Sequence, residues 1–317
     1  MTVRGWCPGV LDPMETGDGW LLRVRLPGGA ITAAAMRSLA HVAADVGSGQ
    51  IEVTSRANVQ IRGVAAGAVV RAAALLVDGG VASADAATDA CRAVVANPLT
   101  GHDPAARCDT APLVAEIIDR LTTGTSRPVG PPPAKYGVVV DDAGSWDLDG
   151  LDADLRVHAL GERWTVAVRG RAAPIGATHE PADVALRATR LCIERGCRMD
   201  AVAADLGMAD LVSALGLTSL PDHERRRRPE RASEKPPSTT AGAPIRALGA
   251  VAHPDPRRAN LIAAPLLGRV DAGTLNELAD LVDGVVTDRA QGHQVEVRLT
   301  PDHSIAFCGV GAARTAA

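Results

Sequence analysis

Aromatic side chains are almost missing from this chain: four Trp, one Tyr and one Phe among 317 residues. The core must therefore be assembled from Ala, Val and Leu. The 46% hydrophobic content suffices for one large domain or for two or three small ones. No apolar run approaches the roughly 18–20 residues of a membrane span. The opening "MTVRGWCPGVLDPMETGDG" lacks the apolar stretch of a signal peptide, so a cytoplasmic location is expected. The six cysteines, Cys7, Cys91, Cys108, Cys192, Cys197 and Cys308, form no C-x-x-C pair and no secreted-type framework. Most are expected to be buried small hydrophobes. A formal net charge of −4 gives the chain no general attraction to nucleic acid.

What is present is a run of regular patterns. "GWLLRVRLPGG" (Gly19 to Gly29) reads as a strand ending in a Gly-Gly turn, and "ITAAAMRSLAHVAADVG" as a helix with Thr32 as its N-cap. "IEVTSRANVQIRGV" (Ile51 to Val64) alternates with period two, the mark of a half-buried strand. "GAVVRAAALLVDGGV" is a second helix, so the first 80 residues read β-α-β-α. A middle region follows, with strands at "AKYGVVVDD", "ADLRVHAL" and "RWTVAVRG" and helices at "DTAPLVAEIIDRL", "EPADVALRATRLCIERG" and "DAVAADLGMADLVSALG". "PDHERRRRPERASEKPPSTTAGAP" breaks all periodicity and reads as an exposed linker. Its Arg225 to Arg228 run could meet RNA or an acidic partner, although a solvated linker is the plainer reading.

Beyond the linker the opening pattern returns. "ANLIAAPLLGRVDAGTLNELADLVDGV" repeats strand, turn and helix, and "TPDHSIAFCGV" (Thr300 to Val310) aligns without gaps on "TSRANVQIRGV" (Thr54 to Val64). Ile305 and Phe307 take the apolar positions of Val59 and Ile61, whereas Arg56, Gln60 and Arg62 become Asp302, Ala306 and Cys308. Two related half-domains around a pseudo-twofold axis are implied. The expected organisation is a first half-domain at 1–80, an α/β domain at 81–221, a linker at 222–244 and a second half-domain at 245–317.

The face of Ile51 to Val64 opposite the apolar one carries Thr54, Arg56, Asn58, Gln60 and Arg62 in line. Arg92 precedes an Asn-Pro turn in "CRAVVANPLTG", and Lys135 stands at the mouth of a strand in "PPPAKYGVVVDD". Converging Arg and Lys would suit a polyanion: guanidinium forks for carboxylates and an ammonium as point charge. The alternative is a set of scattered surface cations with local carboxylate partners.

These segments resemble the nitrite and sulfite reductase superfamily, which binds sirohaem and a [4Fe–4S] cluster. "TSRANVQIRG" is similar to its Thr-x-Arg-x-x-x-Gln strand, "CRAVVANP" to its Arg-Asn-Val … Asn-Pro segment, and "AKYGVVVD" to its Arg-Lys-Phe-Lys segment. The resemblance implies an α+β fold: duplicated ferredoxin-like half-domains of nitrite/sulfite reductase type around an inserted α/β domain of the sirohaem and Fe–S type. It implies that Thr54, Arg56, Asn58, Gln60, Arg62, Arg92 and Lys135 hold tetrapyrrole carboxylates.

Within the superfamily, "RGWCPGVLDPMETGDGWLLRVRLPGGAIT", "ANPLTGHDP" and "KYGVVVDD" are similar to the precorrin-3B synthase family of aerobic cobalamin synthesis. That likeness implies an oxidoreductase that hydroxylates precorrin-3A and forms a lactone, using dioxygen and reducing equivalents such as NADH. Two departures stand out. The second Lys of the reductase pair is Gly137, which weakens sulfite or nitrite chemistry. The superfamily's cluster cysteines, C-x5-C and C-x3-C beyond the second repeat, have no counterpart, because Cys192 and Cys197 are spaced C-x4-C within a helical pattern and precede the linker. The iron and the [4Fe–4S] cluster expected from the family thus lack ligands here, and catalytic residues are not assigned. The expected partners are a tetrapyrrole substrate and an electron donor or a separate chain carrying the cluster part, with no nucleic acid and no membrane. A fragment of a sulfite/nitrite reductase-type sirohaem protein and a non-catalytic tetrapyrrole-binding protein are the competing readings. His102 and Asp103 in "GHDP" read as a turn pair rather than as iron ligands. Replacing Arg56 by Ala is expected to weaken tetrapyrrole binding about tenfold or more, the worth of one charge-assisted contact at roughly 1.5–3 kcal/mol; direct titration of the folded variant measures it.

Overall fold

The computed structural model describes residues 7–171, 173–221, 224, 248–286 and 295–311. All but one residue of the expected linker at 222–244, with its Arg225 to Arg228 run, lies outside the described residues. The first half comprises β1 (Met14–Thr16), β2 (Gly19–Val24), β3 (Ala30–Ile31), α1 (Ala33–Val46), β4 (Gln50–Val53), β5 (Val59–Val64) and α2 (Val69–Asp78). The central unit runs through α3 (Ala86–Cys91), β6 (Val94–Ala96), α4 (Ala111–Thr122), β7 (Val138–Asp141), β8 (Leu155–Leu160), β9 (Arg163–Val168), β10 (Gly176–Thr178), α5 (Pro181–Arg195), α6 (Met199–Leu206) and α7 (Met208–Leu215). The second half supplies β11 (Gly249–Val251), β12 (Arg258–Ala263), β13 (Arg269–Asp271), α8 (Ala272–Val286), β14 (Glu296–Leu299) and β15 (Ile305–Gly311). The fold is α+β, as expected.

The unbroken strand expected over Ile51 to Val64 is instead a hairpin. Thr54 to Asn58 turn the chain: the Thr54 N–H donates to the Asn58 carbonyl at 2.8 Å and the Ala57 N–H to the Thr54 carbonyl at 3.0 Å. Ala57 sits at φ 54°, a left-handed conformation that costs a non-glycine residue about 1–2 kcal/mol. The turn contains an odd number of residues. Ile51 and Val53 on one strand and Val59 and Ile61 on the other therefore keep the same parity, and the alternation passes through the turn unbroken. The ladder pairs Val53 with Val59 and Ile51 with Ile61. The second copy repeats the construction: Thr300 N–H donates to Ser304 O at 2.9 Å and His303 N–H to Thr300 O at 3.2 Å, with His303 at φ 67°.

Each half lends an edge strand to the other. The first sheet has the order β1-β2-β5-β4-β13 and the second β11-β12-β15-β14-β3. β3, which leads into α1, pairs antiparallel with β14 through Ile31 and Val297. β13, which leads into α8, pairs with β4 through Val270 and Ile51. One hydrophobic cluster therefore spans both halves, joining Met36, Leu39, Ile51 and Ile61 to Val270, Leu275, Ala279 and Ile305. α1 starts where expected, with the Thr32 hydroxyl accepting from the Ala35 N–H at 3.1 Å.

The central sheet has the order β10-β9-β8-β7-β6, with β6, β7 and β8 parallel. Val94, Ala96, Val138, Val140 and Leu155 pack with Ile117, Leu121 and Val184 of the helical layer. Val95 and Val139 point the other way and, with Leu99, Trp146 and Leu148, pack on Ile262, Ala306 and Cys308 of the second sheet. Burial on both faces explains the continuous apolar run "GVVV". It also explains why the second copy has lost its polar row: Ile262 faces Ala306 across the ladder, where the first sheet has Arg23 facing Gln60.

The exchange of edge strands passes through Gly29, at φ 72°, where an added Cβ would run into the Leu299 carbonyl oxygen. Gly49, at φ 77°, has open space around it. Gly29→Ala is expected to cost clearly more than the roughly 1–2 kcal/mol of a left-handed Ala alone, and Gly49→Ala about that amount. Urea midpoints of the two variants measure the difference.

Candidate functional site

A cavity of about 550 Å³ opens between the Thr54 to Asn58 turn, the end of β2, α3 and the segment from Pro131 to Tyr136. This lies within the usual size range of small-molecule sites. Arg23, Arg25, Arg56 and Lys135 line it, together with Cys7, Asn58 and Asp89.

The deepest charge pair is Arg25 with Asp89, at 2.7 Å, with side chains 10% and 2% exposed. Arg92 stands behind it, 3.6 Å from the other Asp89 oxygen, and donates to the Val81 carbonyl at 3.2 Å. Burial lowers the pKa of Arg92, with Asp89 opposing that effect and Arg25 adding to it. One carboxylate thus serves two cations; with Asp12 and Asp85, which also line the cavity, its lining carries four cations against three carboxylates.

Arg56 reaches from the turn into the central unit. Its guanidinium donates to the Lys135 carbonyl at 3.0 Å and the Asp152 carbonyl at 2.8 Å, with the Asp152 carboxylate at 3.5 Å. Burial pulls its pKa down, as do the neighbouring Arg198 and Arg169 charges. Gly137 lies against this fork: a Cβ there would stand 3.4 Å from Arg56 Nη1. The missing side chain at 137 leaves room for Arg56 to hold the two units together. Lys135 itself is exposed and sits at φ 65° after three consecutive prolines, which stiffen the approach to it. Among the described residues its ammonium has no hydrogen-bond or ion-pair partner, so it is the cation most available to a ligand.

Arg23 is half-buried, and desolvation lowers its pKa first, with the Arg25 and Arg56 charges adding to it. With its amide oxygen turned toward β2, Gln60 accepts from Arg23 at 2.6 Å and steers that guanidinium.

The structure does not bring all seven expected residues to one face. Arg56, Asn58 and Lys135 line the cavity. Asn58 is 6% exposed and its side-chain oxygen is occupied by the Leu26 N–H at 3.0 Å. Thr54 builds the turn, its hydroxyl oxygen accepting from the Asn58 N–H at 3.1 Å. Gln60 acts through Arg23. Arg62 is not among the residues lining this cavity and is held by Asp18 at 3.0 Å, with Glu52 at 3.8 Å. Arg62 in turn holds the Asp18 carboxyl down to about 2. Arg92 is likewise behind the cavity rather than in it. For Arg62 the hairpin is the cause, because the turn at Thr54 to Asn58 folds the row back on itself. Within the protein, Arg62 and Arg92 both have local carboxylate partners.

Arg23, Arg25 and Asp89 are cavity residues that pattern reading passes over. A signal for the two arginines existed: they stand two apart in "LLRVRLPGG", in an otherwise apolar strand. Asp89, inside a short helix, carried none.

The "ANPLTGHDP" and "VVVDDAG" segments bind each other rather than a ligand. Asn97 donates to Asp103 at 3.1 Å and to Asp142 at 2.9 Å, and Ser145 donates to Asp103. Burial pushes the Asp142 carboxyl up to about 6. The thiols do not make a cluster cradle. Burial raises Cys91 to about 11 and Cys308 to about 12, and among the described residues no three His, Cys, Asp or Glu are grouped to hold a metal. The residues described therefore do not fit a [4Fe–4S] centre.

Asp89→Asn is expected to cost about 3–5 kcal/mol, because it leaves Arg25 buried without its counter-ion. Replacing the pair together, Arg25→Met with Asp89→Leu, is expected to cost less. Denaturant unfolding of the two variants compares them.

Comparison with known proteins agrees with this architecture. Residues 12–78 match the nitrite/sulfite reductase ferredoxin-like half domain. A precorrin-3B synthase from Sinorhizobium sp is 35% identical over 171 residues, 53% of this chain and 36% of that one. The chloroplastic ferredoxin–nitrite reductase of Arabidopsis thaliana is 35% identical over 135 residues, 41% of this chain and 22% of that one. Each match thus spans about a third or less of the curated relative. In fold, the chain is similar to the Mycobacterium tuberculosis NirA protein, with TM-score 0.67, 21% identity and coverage of 93% of this chain and 54% of that one.

Proposed function

We propose, from the premise that the chain is built on the nitrite/sulfite reductase fold and is related to precorrin-3B synthase, that its cavity binds the carboxylate rim of a tetrapyrrole. The observation that carries this is the set of Arg23, Arg56 and Lys135 around one opening of about 550 Å³, with Lys135 lacking a partner among the described residues. A tetrapyrrole with acetate and propionate arms presents carboxylates at several points of its edge. Guanidinium forks meet such groups with paired, charge-assisted hydrogen bonds.

The substrate suggested by the relationship is precorrin-3A, and the reaction an oxygen-dependent hydroxylation with lactone formation that draws on reducing equivalents such as NADH. In this reading the chain's own residues have limited tasks. Lys135 and Arg23 neutralise carboxylates and fix the macrocycle's orientation. Gln60 holds Arg23 in place. The buried Arg25–Asp89 pair, with Arg92 sharing the same carboxylate, keeps the wall positive. An iron–sulfur centre would supply electron transfer, and its ligands would come from elsewhere.

That division of labour fits a further feature of the first sheet. Its outward face carries Glu52 and Arg62, and across the ladder Arg269 faces Glu52. The corresponding face of the second sheet is covered by the central unit through Val139, Trp146 and Leu148. A partner that carries the cluster would occupy the first face in the same way, and an electron donor would reach the substrate through it. Gly137, where the reductases have a second Lys, speaks against sulfite or nitrite as substrate. Three thiols are buried, Cys91, Cys192 and Cys308, and three are half-buried, Cys7, Cys108 and Cys197; no grouping for a metal occurs among the described residues. This favours one competing reading, in which the chain binds a tetrapyrrole without transforming it; iron and sulfide analysis distinguishes the two.

Lys135→Ala is expected to weaken binding of a uroporphyrin-type tetrapyrrole about tenfold, for a contact worth roughly 1.5–3 kcal/mol. Because Lys135 is exposed, its unfolding midpoint should not change. Titration by absorbance checks the first, urea denaturation the second. Unchanged affinity would remove Lys135 from the site.

A further inference from the structure

Away from the cavity, two histidines from different units face each other. His102 lies in the loop after β6 of the central unit, and His253 in the connection between β11 and β12 of the second half. His102 Nδ1 is 3.1 Å from His253 Nε2. Beyond them, the Asp255 N–H reaches His253 Nδ1 at 2.9 Å, and the Glu296 carboxylate lies 3.4 Å from His102 Nε2.

The neighbours assign the protons. A backbone N–H can only donate, so His253 Nδ1 accepts and its proton sits on Nε2. That proton points at His102 Nδ1, which must accept, so the His102 proton is on Nε2 and faces Glu296. Both rings are then neutral, in the same tautomer, and donation runs one way from Asp255 to Glu296. The relay crosses the joint between the central unit and the second half. The same loop is tied down by Asn260, which donates to the His102 carbonyl at 2.7 Å, and by Arg298, which donates to the Thr100 carbonyl at 2.8 Å.

The geometry points to His102 and His253 forming a pH-sensitive latch between the central unit and the second half-domain, closed while the rings are neutral and opened by protonation.

A first proton, whichever ring takes it, puts a hydrogen on His253 Nδ1. That Nδ1–H then faces the Asp255 carbonyl, at 3.3 Å, and the Asp255 N–H loses its acceptor. A second proton has none, since two imidazoliums would meet N–H to N–H across 3.1 Å. The surrounding charges divide. Glu296 draws a proton toward His102 and is itself held to about 2, by His102 first and also by Arg298. Arg258 opposes a proton on His253, while the Asp255 carboxylate is taken up by Arg257. Arg258 and His102 both lie against Gly309 of β15. The pKa of His253 is lowered, by burial first. Such a group contributes stability above its unfolded value near 6.5, and that stability is lost as pH falls.

The test uses the whole chain. Ring ¹⁵N NMR at pH 7.5 should show both His102 and His253 protonated on Nε2. Between pH 7.5 and 5.5 the unfolding constant should rise by up to about tenfold per pH unit below about 6.5, and this component should vanish in His253→Gln, which keeps an N–H donor but does not titrate. An Nδ1–H tautomer for either ring at pH 7.5, or an equal pH dependence in wild type and variant, would overturn the latch. Should the variant fail to fold, the wild-type tautomers decide.

Discussion

The exchange of edge strands is the constraint on which the rest of the molecule depends. β3 belongs to the first half by sequence and to the second sheet by hydrogen bonding, and β13 does the converse. Neither sheet is complete without the other half, and one cluster of buried side chains serves both. The close approach at Gly29 and Leu299 is where this exchange is tightest. Fixing the halves in this way fixes two equivalent sheet faces that have since diverged. One took up Ile262, Ala306 and Cys308 and buried itself against the central unit. The other kept Arg23, Gln60 and Arg62.

The cavity follows from that asymmetry. The central unit can cover only one of the two faces, and its edge comes close to the hairpin of the other. Arg56 closes this gap by donating to two carbonyls of the central unit. Around the opening, charges fall into two groups. Arg25 and Arg92 are committed to Asp89 and have a structural role. Arg23 and Lys135 are turned toward the space itself. A polyanion would find its countercharges here without the protein having to break an existing ion pair.

Much of this was legible in the sequence, and the exceptions have physical reasons. The duplication was readable because the turn chemistry was copied with the strands: Thr54 and Thr300 each accept from the residue four positions on. The α+β class and the helix from Ala33 followed from periodicity and from the Thr32 cap. The turn at Thr54 to Asn58 was hidden, because an odd number of turn residues keeps the alternation in phase. Of the cations grouped by pattern, Arg56 and Lys135 line the cavity and Arg62 and Arg92 do not. Side-chain alternation tells which way Arg62 points but not that Asp18 waits beside it, and Arg92 is a cavity residue in spacing alone. Asp89, the one carboxylate that organises the wall, was not legible at all. A buried acid inside "AATDAC" looks like any surface acid until its partners are in place.

The most direct measurement compares a uroporphyrin-type octacarboxylate with its methyl ester, titrated into the intact chain under the same salt conditions. Removing the charges while keeping the macrocycle isolates the contacts assigned to Arg23 and Lys135. If those cations hold the carboxylate rim, the acid binds and the ester binds at least about a hundredfold more weakly, the worth of two charge-assisted contacts. Equal affinity for the two would contradict the account, because the cavity would then be recognising the macrocycle and not its charges.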